Sequence, residues 1–348
     1  MGPAREGRAA IDVLIVSLGS THGLRIADEQ LAGALERAGA SVVIARAPRP
    51  RPIRTLMATD LGWARVARAA AVEAIARSQP RAIIYSSTTA ALLWPRRGAI
   101  RFDAPAAGNR PGRHGLWQRP LERRRLAQAP LLLPWSEGAL REAPLTGTGE
   151  GRALVLPVAV EPSGPAPAER DIAAITYAAN PAKKGLDRVL AAWRAVASEP
   201  GAGELLVAGA GEDELMKAGR PAGGGGVRVV GALAREEYRA LLRRARVFVC
   251  APRREDYGIA QLEALAEGCR LVTTPAPGPY AALPIARALD PRLVGERLEP
   301  CLRVALGEPL PGYAERARAA LEPFSPAAIE TLVAERLLPR LLEQRAQL

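Results

Sequence analysis

Two carboxylates flank a glycine in the stretch APRREDYGIAQLEALAEGC, residues 251–269. An apolar run ends at Cys250, Glu255 falls in the loop that follows, and Gly258 opens a helical pattern that carries Glu263 and stops at Gly268. The N–H groups of Gly258, Ile259 and Ala260 at such a helix start have no intrahelical partner and suit a phosphate. A carboxylate accepts hydrogen bonds from paired hydroxyls, such as those of a ribose or a sugar. Spacing alone leaves a plainer alternative open, with Glu263 a solvated helix residue and Glu255 a partner of the helix dipole.

A second stretch, NPAKKG at 180–185, concentrates ammonium groups. Of 48 lysines and arginines only Lys183, Lys184 and Lys217 are lysine, and two of them stand side by side here. An ammonium is a compact point charge on a flexible stem, suited to reach phosphate oxygens past a glycine turn. LGSTHG (18–23) follows a strand-like run. There Gly19 and Gly23 would let backbone approach a ligand and His22 would face it; the alternative is an ordinary turn with an exposed histidine. AGAG (208–211) looks like a dinucleotide turn, though a simple tight turn explains it as well. RPGRHGLWQRPLERRRL (110–126) gathers Arg110, Arg113, Arg119, Arg123, Arg124 and Arg125 beside Leu116 and Trp117. It reads either as a contact with an anionic lipid surface or phosphorylated acceptor, or as a solvated arginine-rich helix.

These residues need elements to hold them. Strand-like runs fall at 11–18, 41–45, 81–87, 98–102, 130–135 and 152–158, with helical patterns over 26–38 and around Trp63–Ile75. The segment 161–170, rich in proline and small residues, reads as a linker. Beyond it strands are expected at 172–178, 204–208, 227–230, 247–250 and 270–274, with helices at about 185–198, 234–244 and 258–267. Alternation of this kind argues for parallel sheets covered on both faces. Two series predict an α/β chain of two Rossmann-like domains facing each other across a cleft, where a ligand would sit at the carboxyl ends of the strands. The expected domains are 1–160 and 161–332, with a last helix, 325–347, opened by Ser325 and Pro326 and returning to the first domain over about 333–348.

The chain has 348 residues, is 48% hydrophobic and 24% charged, and so can bury two cores. Its net charge of +12 fits either a polyanionic partner or scattered solubilising arginine. No finger or RNP pattern is visible, so no nucleic-acid partner is expected. Cys250, Cys269 and Cys301 are too far apart for a zinc site and odd in number, which predicts reduced, cytoplasmic thiols. Residues 11–18 form an apolar stretch too short to span a membrane, and the N-terminal region lacks a signal-peptide layout.

The segment Glu255-Asp-Tyr-Gly-Ile-Ala-Gln-Leu-Glu263 resembles the Glu-x7-Glu signature of retaining glycosyltransferases of family 4, which have the GT-B fold. KKGLDRVLAAW (183–193), LLVAGAGEDEL (205–215) and VRVVGALAREEYRALLRRARVFVCAP (227–252) are similar to the family's segments in order and spacing, and the likeness is strong over about 150–275. The resemblance implies that Lys184 binds the donor diphosphate, Glu263 the ribose hydroxyls, and Glu255 the donor sugar, with Tyr257 beside it in the signature. It also implies that the N–H groups of Gly258, Ile259 and Ala260 hold phosphate and that backbone near Gly231–Leu233 receives the base. The family's usual arginine, six positions before the lysine, is Ala178 here, so Lys183, Arg253 or Arg254 would have to replace it. Its histidine after the fourth strand corresponds to Phe102-Asp103, which makes Asp103 a candidate in its place. After LVTT (271–274) the usual glycine pair and acid are replaced by PAPGPYAAL.

The expectation is therefore a cytoplasmic or peripherally membrane-bound retaining glycosyltransferase, with a UDP- or GDP-sugar as co-substrate and no metal or other cofactor. No Asp-x-Asp motif is present. The acceptor would be a cell-envelope glycan, a lipid or a small metabolite, and Arg110–Arg125 the membrane contact. The alternatives are a nucleotide-sugar epimerase of the same fold and a non-catalytic nucleotide-sugar-binding protein.

Overall fold

The apolar runs form two parallel sheets, each buried on both faces as such sheets require. The computed structural model describes residues 10–51, 55–110, 112–145, 151–165, 167, 169–199, 201, 203–217 and 225–343. The chain divides into one unit of Met1–Ala159 with Pro326–Leu348 and a second of Val160–Ser325.

In the first unit the strands are β1 (Val13–Ser17), β2 (Val42–Arg46), β3 (Ala82–Tyr85), β4 (Ala99–Phe102) and β5 (Leu132–Pro134), in the order β2-β1-β3-β4-β5. Residues alternate between two cores, as the strand period dictates. Val13, Ile15 and Ile84 meet helix His22–Arg37 on one face; Leu14, Val16, Ile83 and Tyr85 meet helix Leu56–Ser78 on the other. The order reverses between β1 and β3, so the loops after those strands splay apart and leave a crevice.

Three expectations change here. The helix expected over 26–38 begins at His22, because the Thr21 hydroxyl accepts from the Leu24 N–H at 3.3 Å and caps it. The run at 152–158 is not a strand. Leu154 and Leu156 donate to the Leu132 and Pro134 carbonyls, but the only ladder pairing among the described residues is an isolated bridge at Ala153, and Pro157 has no N–H to extend it. The chain returns to the first unit at Pro326, not near 333. Ile329, Val333, Leu337 and Leu341 all bury in the first core. That spacing of four drifts about 40° per step in a regular helix of ~3.6 residues per turn. A π-helical turn, Val333–Leu337, lies between helices Pro326–Leu332 and Leu338–Glu343 and takes up part of the drift. Positions 344–347 of the expected helix lie outside the described residues.

The second unit's strands are β6 (Ile172–Tyr177), β7 (Leu205–Ala208), β8 (Val227–Gly231), β9 (Ala245–Cys250) and β10 (Arg270–Thr273), in the order β10-β9-β6-β7-β8. The switch of direction falls between β6 and β9. The expected linker 161–170 belongs to this unit, apart from positions 166 and 168, which lie outside the described residues. Ser163 donates its N–H to Glu267 and accepts at its hydroxyl from Arg243. Among the described residues no helix is long and apolar enough to cross a membrane.

Candidate functional site

The loop after β6 carries Lys183 and Lys184; the loop after β9 carries Glu255 and Asp256. The switch point brings these loops together. The Asn180 side chain accepts from the Lys183 N–H at 3.0 Å, its carbonyl accepts from the Lys184 N–H at 2.9 Å, and the Lys183 carbonyl accepts from the Arg253 N–H at 3.0 Å. Gly185 then turns into helix Leu186–Val196 at φ 62°. A methyl group there would collide with the Ala251 carbonyl oxygen, so only glycine lets the two loops touch.

The side chains interlock. Lys184 Nζ lies 2.7 Å from Glu255 Oε2, which also accepts from Gln261 Nε2 at 2.9 Å. Lys183 Nζ lies 2.7 Å from Asp256 Oδ2, and Arg254 Nε 2.9 Å from Asp256 Oδ1. Burial works to raise the Asp256 carboxyl, but Lys183 and Arg254 outweigh it and hold the group below the usual carboxylate range. Glu255 is held from behind, its N–H donating to the Pro277 carbonyl at 3.0 Å. The glycine of PAPGPY, Gly278, sits at φ 110° where a side chain would strike the Glu255 carbonyl. That stretch therefore shapes the Glu255 loop.

Tyr257 is buried beneath the loop, and Gly258, at φ 94°, opens helix Ile259–Ala266 with no side-chain cap. Ile259 and Ala260 are partly exposed, so the helix N-terminus is accessible beside Lys184 and Glu255. Inside the helix, Glu263 is 8% exposed. Its Oε1 receives Arg235 at 3.1 Å and Arg239 at 3.2 Å. This overturns the reading of Glu263 as a solvated helix residue. Gly231 ends β8 at φ 77°, with Leu233 partly exposed two residues on. Ala178 is buried at 1% exposure, so an arginine could not stand there without repacking; the cations near Asp256 are Lys183 and Arg254.

The first unit has its own cavity, about 260 Å³, at its switch point. Leu18 and Ser20 after β1, Ser87–Thr89 after β3 and Asp103 after β4 line it. Asp103 accepts from the Ala104 N–H at 2.8 Å. Asp60, Gln118 and Glu122 enter from helices Leu56–Ser78 and Gln118–Gln128. Arg110 grips Asp60 at 2.7 and 3.2 Å, and Gln118 Nε2 donates to Asp60 at 2.5 Å. Gln118 Oε1 is buried with no hydrogen-bond partner among the described residues. Glu122 accepts from the Ala106 N–H, and burial lifts its carboxyl to about 7. Gly19 turns the chain after β1 at φ 53°, whereas His22 and Gly23 lie in the first turn of helix His22–Arg37, with His22 exposed. In the arginine-rich stretch, Arg110 turns inward to Asp60, Arg119 to the Gly112 and Gly115 carbonyls, and Arg125 to the Leu92 carbonyl over the Trp94 ring. Arg113, Arg123, Arg124 and Leu116 are exposed. Among the described residues no group of His, Cys, Asp and Glu is arranged to hold a metal ion.

Arg239, Gln261, Asp60, Gln118 and Glu122 were not anticipated. One signal was available for the first: Arg235 and Arg239 are four apart on one helix, as are Glu263 and Glu267 on the next.

Two parallel sheets, each with its polar residues gathered at the switch point, define a protein of GT-B fold. Residues 170–286 match the family described as Glycosyl transferases group 1, a match consistent with the resemblance of this segment to family 4. Among solved structures it is similar to WaaG, a glycosyltransferase involved in lipopolysaccharide biosynthesis, at 17% identity and a TM-score of 0.65 over 97% of this chain and 99% of that one. It is similar to HepE of Anabaena in complex with UDP-glucose, at 13% identity and a TM-score of 0.64 over 94% and 99% of the two chains. It also resembles an E. coli trehalose-6-phosphate protein bound with UDP-2-fluoro glucose, at 12% identity and a TM-score of 0.69 over 94% and 99%. A search of curated proteins by sequence finds no match.

Proposed function

We propose that the protein transfers a sugar, with retention, from a nucleotide-sugar donor bound at the second unit's switch point to a hydroxyl of an acceptor. The observation that carries this is the constellation of Lys184 on Glu255 beside an uncapped helix N-terminus, with Glu263 fixed by two arginines in that helix. Lys184, assisted by Lys183, and the N–H groups of Gly258–Ala260 would take the diphosphate, and Glu263 the ribose hydroxyls. Glu255, already hydrogen-bonded to Gln261, would accept from the donor sugar. Charge building on the leaving diphosphate is met by these fixed positive groups, so transfer needs neither a protein nucleophile nor a metal ion. UDP-glucose and UDP-2-fluoro glucose in the similar structures support a donor of this type.

For the acceptor, the cavity in the first unit favours a neutral polyhydroxyl compound. Among the described residues its lining sets the carboxylates of Asp60 and Asp103, with the Glu122 carboxyl beside them, against one guanidinium, Arg110, already paired with Asp60, which disfavours a phosphorylated group. Gln118 Oε1 waits there for a hydroxyl donor.

Calorimetric titration with a panel of UDP- and GDP-sugars tests the donor reading. At least one should bind, and Lys184→Ala should weaken it by at least about tenfold, the scale of one charge-assisted hydrogen bond. A fully active Lys184→Ala protein would sink this placement of the diphosphate. Donor turnover without acceptor, followed by NMR, would favour an epimerase, and binding without turnover a non-catalytic role.

A further inference from the structure

The strands of a parallel sheet all begin at one edge. In the second unit Arg170 lies just before β6, Arg246 is the second residue of β9 and Arg270 the first of β10, and these strands are neighbours in the order β10-β9-β6. Three guanidiniums are thereby set side by side, at the opposite end of the sheet from Lys184. They line a cavity of about 220 Å³ together with Gly268, Leu310 and the segment Gly312–Glu315.

These arginines are held by backbone carbonyls and a thiol, with no carboxylate among the partners shown. Arg170 donates to the Leu242, Ala245 and Glu267 carbonyls and to Cys269 Sγ. Arg246 donates to the Leu306 carbonyl, and Arg270 to those of Ala305 and Glu308. Every one of these acceptors is uncharged, whereas Lys183, Lys184, Arg235, Arg239 and Arg254 in the same unit all meet carboxylates. Burial, the main cause, pushes the Arg270 guanidinium down, and the neighbouring charges of Arg246 and Arg170 add to it. Glu315 is the one carboxylate in the lining among the described residues.

A second feature points the same way. Helix Tyr313–Ala320 begins at this cavity, and its N-cap is Gly312, at φ 67° with no side-chain cap. Its first-turn N–H groups and dipole add to the positive field there.

We propose that this edge of the second sheet binds a phosphate-class anion, held by Arg170, Arg246 and Arg270 and by the N-terminus of helix Tyr313–Ala320. The site is separate from the donor site, and its ligand is either a free phosphate compound or a phosphomonoester lipid headgroup.

Calorimetric titration with inorganic phosphate at low ionic strength tests this on three proteins: the parent, Arg246→Gln and the double variant Arg246→Gln/Arg270→Gln. Glutamine keeps a hydrogen-bond donor for the carbonyls while removing the charge. Saturable binding is expected in the parent, at least about tenfold weaker in the double variant and intermediate in Arg246→Gln. Matching melting curves without phosphate would show that the glutamine variants are folded; if the double variant melts early, Arg246→Gln alone carries the comparison. No saturable binding in the parent would overturn the proposal, and so would equal binding by the arginine variants. Vesicles of phosphatidic acid, set against phosphatidylcholine, separate the sources. Capture that free phosphate competes away and the double variant lacks assigns a lipid headgroup; no capture beside intact phosphate binding assigns a free compound.

Discussion

Arg239 offers the sharpest test of how the donor site is built. The residue is 4% exposed, and its side chain reaches Glu263 at 3.2 Å, Glu267 at 2.7 Å and the Glu161 carbonyl. Arg239→Ala leaves Glu263 with only the half-exposed Arg235 and leaves Glu267, 3% exposed, with no guanidinium. Stranding buried carboxylates in this way costs about 3–5 kcal/mol. For a unit of this size that is a fall of roughly 6–20 °C in the unfolding midpoint. Fluorine NMR of fluorotryptophan-labelled protein reads the right unit, because Trp193 is the one tryptophan between 160 and 325. Arg239→Lys should fall between, since a single ammonium cannot fork across both carboxylates. Arg235→Ala, at a half-exposed pair, should cost less than about 1 kcal/mol. If Arg239→Ala melted within about 2 °C of the parent, the claim that this arginine holds the Glu263 helix would be wrong. Donor affinity should fall with it, as Glu263 loses its fixed orientation.

Other outcomes follow from particular contacts. Gly185→Ala must hold alanine in the left-handed region and push against the Ala251 carbonyl, so it should cost about 2 kcal/mol or more by urea unfolding and weaken donor binding by displacing Lys184. Glu122 has a folded pKa raised to about 7 by burial from an ordinary 4.5, so its stabilising contribution is fully present below about pH 4.5 and is lost as pH rises through about 7. The loss is on the order of 3 kcal/mol, and subtracting the pH–stability curve of Glu122→Gln from that of the parent should isolate a slope confined to that window. A difference that is flat across it would show that the carboxyl is not held protonated.

The strands were legible wherever an apolar run is buried on both faces, as in Val13–Ser17 and Ala245–Cys250. The same signal misled at 152–158, where apolar residues line an irregular segment that pairs only at Ala153. The lysine loop and the Glu255–Glu263 stretch stood out because their spacing is local. Arg239 did not, since one arginine among so many carries no mark of burial. Asp60, Gln118 and Glu122 meet only through tertiary folding of two helices far apart in the chain, and no local pattern encodes that meeting.

The pairing of Lys184 with Glu255, Lys183 and Arg254 with Asp256, and Arg253 with Asp187 has a kinetic consequence. Four cations here are matched by three carboxylates within hydrogen-bonding distance, so the loop projects little field into solvent despite the chain's charge of +12. A donor would reach it by ordinary diffusion, at a rate that added salt hardly changes. Attraction becomes strong only at contact, as phosphate oxygens take over ammonium hydrogens from the carboxylates. Selection among anions would then be made by dissociation, with loosely fitting polyphosphates leaving quickly and a well-fitted donor staying.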